Sequence, residues 1–76
     1  MKPDADHTRD LPARMRARAD QDGLAPDNRL RQLADELDAA ISGFYAADQT
    51  VPVAQFVGAW ARARRAWHVY SGEPLL

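Results

Sequence analysis

The chain has 76 residues and a formal net charge of −1, ten Lys and Arg against eleven Asp and Glu. That length allows a single domain. The absence of cysteine excludes a disulfide framework, a cysteine zinc site and a thiol nucleophile. No stretch approaches the ~20 consecutive apolar residues of a membrane-spanning helix, and Met1-Lys2-Pro3-Asp4-Ala5-Asp6-His7 is no apolar leader. The expectation is a small cytoplasmic helical protein with no membrane contact.

The 46% hydrophobic content overstates the core. Fifteen residues are Ala, which favours helix but buries little. Of twenty large apolar residues, sixteen lie at Leu30 or later. Nine of the ten cations are Arg, which reads as the mark of a GC-rich, bacterial genome. A chain of this size hides only about 60% of its surface on folding and is marginal without help. With neither disulfide nor metal in view, self-association is the expected source of that help.

In chain order, residues 1–9 carry four charged residues and no apolar patch, so they read as a disordered tail. Residues 10–76 form one small helical domain. Asp10-Leu11-Pro12 is a plausible helix start, with Pro in the first turn. The first helix spans about 11–21 and ends at Gly23, with Leu24 folding back on Met15 or Ala19. Its apolar face, Leu11, Met15 and Ala19, is thin, so this helix is marginal by itself. Leu30, Leu33, Leu37, Ile41 and Phe44 recur at helical spacing and predict a second helix over about 27–46, capped by Asp27. Ala46 to Gln49 reads as a turn.

Thr50-Val51-Pro52 restarts a helix over about 51–70. Val53, Phe56, Val57, Trp60, Ala63, Trp67 and Tyr70 mark its apolar face, and Ser71-Gly72 ends it. So short a connection predicts an antiparallel helical hairpin. The fold class is all-α: this hairpin plus the N-terminal helix, completed into a bundle by dimerisation. A turn centred near residue 49 sets Gly43 opposite Gly58, runs Ala39 and Ala54 along the seam, and brings Asp35, Glu36 and Asp38 beside Arg62, Arg64 and Arg65.

The sequence offers little catalytic chemistry. His7 and His68 are far apart, and His68 suits a helix end, where the dipole favours a cation. Ser42 and Ser71 lack a neighbouring base with an orienting acid. Asp35 and Asp38 share a helix face that Glu36 leaves, so a solvated acidic face explains them better than a metal site. No cofactor is implied. The expectation is a non-enzyme.

Two partner readings follow. The aromatic stripe on the last helix exceeds what a short hairpin can enclose, and Trp and Tyr are enriched at binding hot spots. This predicts a protein-binding module, an adaptor, inhibitor or homodimer, acting through Phe56, Trp60, Arg64, Trp67 and Tyr70. The alternative is a nucleic-acid-associated regulator using Arg14, Arg16, Arg18, Arg29 and Arg31. The near-neutral net charge disfavours it, and Asp20 and Asp22 stand four residues after Arg16 and Arg18, where they can neutralise them. The Leu75-Leu76 terminus reads as packed on the hairpin or as a recognition tag.

Overall fold

The computed structural model describes the backbone of residues 3–73 and the side chains of residues 10–73. It contains three helices, α1 (Pro3–Gln21), α2 (Arg29–Phe44) and α3 (Val53–Ser71). The fold is all-α among the described residues. The expectations for the His7 side chain and for Leu75-Leu76 lie outside them.

α1 begins at Pro3, earlier than the spacing of Leu11 and Met15 predicts. Pro at a first helical position, followed by Asp4 and Asp6, suits a helix amino terminus. Pro12 therefore sits inside α1, where it removes one backbone donor. The carboxyl end follows the expected design. Gly23 adopts φ 65°, its N–H donates to Asp20, and the Leu24 N–H donates to the Ala19 carbonyl at 2.9 Å. This double bond is the Schellman stop, and it seats Leu24 against the core.

α2 starts two residues later than predicted. Its cap is Asn28 rather than Asp27, because the backbone turns through Ala25 to Asn28 first. The Asn28 side chain accepts from the Leu30 N–H at 2.8 Å, satisfying one orphan donor of the first turn. α3 starts at Val53, with Pro52 as its cap rather than inside its first turn. Gly72 closes α3 in the left-handed conformation at φ 82°.

α2 packs against both α1 and α3, whereas α1 and α3 touch at few points. One core cluster joins Leu11, Met15 and Ala19 of α1, Leu30, Leu33, Ala34, Leu37 and Ala40 of α2, and Ala59, Ala63 and Trp67 of α3. Met15 and Leu37 are its largest fully sealed side chains. The thin face of α1 is thus wholly used. Between α2 and α3 the expected seam shifts: Ala40, Ala59 and Ala63 are buried, and Ala39 and Ala54 are exposed. Small side chains let helix axes approach, so the core face of α3 centres on Ala59 and Ala63. Val53 and Val57 fall outside it, 57% and 49% exposed.

The two glycines do not face each other. A Cβ on Gly43 would meet Val51 Cγ2 at 2.3 Å and Thr50 Oγ1 at 2.9 Å, because the connection to α3 folds back over this turn. A Cβ on Gly58 would meet only the flexible end of Arg62, at 3.4 Å. The two therefore respond oppositely to Ala. Gly58→Ala gains up to about 1 kcal/mol of helix propensity, whereas Gly43→Ala loses about 1–3 kcal/mol through overpacking. Urea unfolding of the two variants measures both signs.

Candidate functional site

The residues of the predicted aromatic face have separate environments. Phe56 is half-buried and stacks on Phe44, with ring centroids 4.5 Å apart and planes 5° from parallel. Tyr45 meets Phe56 edge-on at 6.0 Å. These rings close the end of the fold beside the α2–α3 connection. Trp60, one turn further along α3, is half-buried, and the Arg64 guanidinium lies 4.3 Å from its ring centroid. A cation over an indole face is held by the ring quadrupole, so Arg64 and Trp60 act as one surface unit.

Trp67 is 7% exposed and belongs to the core cluster. α1 and the residues after α3 cover it. Its Nε1–H donates to Glu73 Oε1 at 2.8 Å. The same carboxylate receives Arg14 of α1, whose guanidinium also lies 5.8 Å from the Trp67 ring. The His68 imidazole contacts the Glu73 carbonyl oxygen. The Ser71 hydroxyl donates to the Trp67 carbonyl at 2.7 Å and accepts from the Glu73 N–H. Glu73 therefore binds the end of α3 to α1. No sequence spacing announces this role, because Arg14 is 59 positions away.

Tyr70 is 37% exposed. Its hydroxyl donates to Asp22, and the Arg18 guanidinium lies 5.3 Å from its ring centroid. Arg18 also pairs with Asp22 at 2.9 Å, one turn along α1. The Tyr70 hydroxyl, with help from Arg18, holds the Asp22 carboxyl below its ordinary value, and Asp22 in turn holds the Tyr70 phenol above its own.

The arginines of the alternative reading are largely engaged inside the chain. Arg16 reaches Asp35 at 2.7 Å and Asp38 at 3.1 Å, and the hydrogen bond it donates to Asp35 is the main cause of its raised pKa. Asp35 and Asp38 thus belong to α1 contacts rather than to the α3 arginines. Glu36 alone meets α3, bonded twice by Arg62 at 3.1 Å. Arg31 pairs with Asp20 at 2.8 Å and donates to the Leu24 and Ala25 carbonyls. Asp20 is thereby taken by α2 and does not neutralise Arg16. With Arg14 and Arg18 also paired, only Arg29 of the five makes no ion pair among the described residues.

No group of three or more His, Asp or Glu side chains gathers as a metal site among the described residues. No described helix is long and apolar enough to cross a membrane. A cleft of 180 Å³ opens between Ala40 and Ala59, beside the Glu36–Arg62 pair. This is below the ~300 Å³ of typical small-molecule pockets. On α3, Val53 and Val57 are exposed, and the half-buried Trp60 stands in line with them along the helix. Val69, 76% exposed, lies on another side of the helix. The sequence pattern puts Val53 and Val57 on the same apolar face as Ala63 and Trp67, and the position of α2 against Ala59 and Ala63 leaves the two valines outside the core.

Comparison with protein-family models, with curated proteins and with solved structures finds no match in any of the three.

Two outcomes test these placements. Trp67→Ala costs about 3–5 kcal/mol, the range for truncating a sealed aromatic ring, and thermal melting registers the loss. The Asp22–Tyr70 contact makes stability depend on pH at both extremes. A depressed carboxyl contributes above its ordinary value near 4, and the contribution disappears as pH falls through the depressed value. A raised phenol contributes below its ordinary value near 10, and that contribution disappears as pH climbs through the raised value. In Tyr70→Phe the alkaline arm vanishes and the acid arm shrinks, Arg18 still holding Asp22. Carboxyl-detected NMR titration then shows the Asp22 midpoint moving upward.

Proposed function

We propose that this chain is a non-catalytic interaction module that binds protein through the outer stripe of α3. In this reading α2 and α3 are an antiparallel hairpin. Phe44 meets Phe56 near the connection and Glu36 meets Arg62 further from it, so residue numbers descend on one helix as they ascend on the other. α1 rests on α2 and covers the Trp67 end of α3. The binding surface is then the uncovered remainder.

One observation carries the reading. Val53 and Val57 are 57% and 49% exposed and stand in line with the half-buried Trp60. Two exposed apolar side chains beside a half-buried Trp along one helix face form the kind of patch that marks an interaction site. Phe56, Trp67 and Tyr70 are engaged by Phe44, Glu73 and Asp22. Trp60 and Arg64 belong to the patch directly. A homodimer is required only if one chain cannot cover its own aromatic face; here α1 reaches the Trp67 and Tyr70 end, and Phe44 stacks on Phe56.

The nucleic-acid alternative gains no support from the geometry. Phosphate binding needs guanidiniums free to replace counterions, and four of the five candidate arginines are held by carboxylates of the same chain.

Two of the exposed valines, Val57 and Val69, give the test. Val57→Asp places a charge in the stripe, and Val69→Asp places one on a solitary, more exposed site. The module binds its partner with Val69→Asp and loses it with Val57→Asp, while circular dichroism shows equal helix content in both. Association measured by sedimentation or crosslinking that treats the two variants alike refutes the reading.

A further inference from the structure

α1 and α3 touch at few points. Where their charged and aromatic side chains meet, one pattern occurs twice. In the first unit the Arg14 guanidinium lies 5.8 Å from the Trp67 ring centroid, and Glu73 accepts from both Arg14 and the indole N–H. In the second the Arg18 guanidinium lies 5.3 Å from the Tyr70 ring centroid, and Asp22 accepts from both Arg18 and the phenol. Each unit is thus an arginine beside an aromatic ring, bridged by a carboxylate that also takes the ring's own polar hydrogen. Arg14 and Arg18 are four apart on α1, and Trp67 and Tyr70 three apart on α3. The units are therefore neighbours, one helical turn from each other.

This joint differs from the contacts that hold the rest of the fold. Its ionic groups reach water: Arg14 and Glu73 are 37% and 46% exposed, Arg18 and Asp22 39% and 30%. An ion pair in that setting shifts an equilibrium by no more than about fivefold. Glu73 itself lies beyond the end of α3, returned towards α1 by the left-handed Gly72. The remaining attachments do not use the joint. Ala59 and Ala63 belong with α2 in the core, and Arg16 ties α1 to Asp35 and Asp38. What the joint covers is Trp67, which is 7% exposed.

We propose that the joint is a latch: its two units open together, the end of α3 lifts from α1 while α1 stays on α2, and the Trp67 indole is uncovered. The chain presents this large aromatic surface only in the open state. Ionic strength sets how often that state is visited, because the charges that close the latch are screened by salt. The device goes beyond the interaction reading and does not depend on it, since Val53, Val57 and Trp60 lie in the amino-terminal half of α3.

The test follows hydrogen exchange of the Trp67 indole N–H by NMR in the full chain, with Trp60→Phe assigning the signal. This proton exchanges faster than the Leu37 amide and responds little to low urea, because a local opening exposes little surface. Added salt speeds it. Glu73→Gln keeps an acceptor for the indole but removes the charge, and speeds exchange about threefold or more. Tyr70→Phe, which touches only the other unit, speeds the same proton by a similar factor. Arg16→Gln accelerates the Leu37 amide and leaves the indole proton unchanged, because the open state retains the Arg16 pairs. Indole exchange that tracks the Leu37 amide in rate and urea dependence overturns the latch, since Trp67 is then uncovered only by global unfolding. An indole proton indifferent to Tyr70→Phe overturns the joint opening of the two units. One accelerated by Arg16→Gln overturns the retention of α1 on α2.

Discussion

Everything in this fold depends on α2 being buried from two sides. Ala34 and Leu37 are completely sealed, and Leu30, Leu33 and Ala40 are nearly so. One neighbouring helix cannot cover that many positions on a helix of 16 residues. Met15 of α1 and Ala59, Ala63 and Trp67 of α3 supply the two coverings within a single core cluster. α1 and α2 commit Leu11, Met15, Leu30, Leu33 and Leu37 to this cluster. That is why α1, poor as its apolar face is, is part of the core rather than an accessory.

The arginines complete the arrangement. Arg16 to Asp35 and Asp38, Arg31 to Asp20, Arg14 to Glu73 and Arg62 to Glu36 each join two different segments. Exposed ion pairs are worth about 0–1 kcal/mol each, so they do not drive folding. Their contribution is register. Three of these arginines link α1 to another segment, and a slip of α1 along α2 by one turn would break the pairs to Asp35, Asp38 and Asp20 together. The arginine-rich composition is thereby explained largely by tertiary contacts of the chain.

The position of α1 also decides what α3 shows to its surroundings. α1 reaches the Trp67 and Tyr70 end, through Arg14, Arg18 and Asp22. The Phe44–Phe56 stack closes the opposite end against α2. The surface that α3 still exposes includes Val53 and Val57. The surface is a consequence of how three helices of unequal apolar width share one core.

Much of this was legible in the sequence. Heptad-like recurrence of Leu30, Leu33, Leu37 and Ile41 marks α2, and Gly23 and Gly72 mark helix ends, because local backbone energetics act over one turn. The three-helix content follows from the same local periodicity, and the Glu36–Arg62 pair from the register that a turn near residue 49 sets. The sequence could not decide which of two overlapping stripes on α3 faces inward, since Val53 and Val57 look as apolar as Ala59 and Ala63. That choice belongs to close packing: small residues admit the backbone of α2, and large ones are left outside. Nor could it reveal that Glu73 would clasp Arg14 and Trp67, or that Val51 would fold over Gly43. Those contacts join residues distant in sequence or turned back through the irregular connection, and only the assembled helices bring them together.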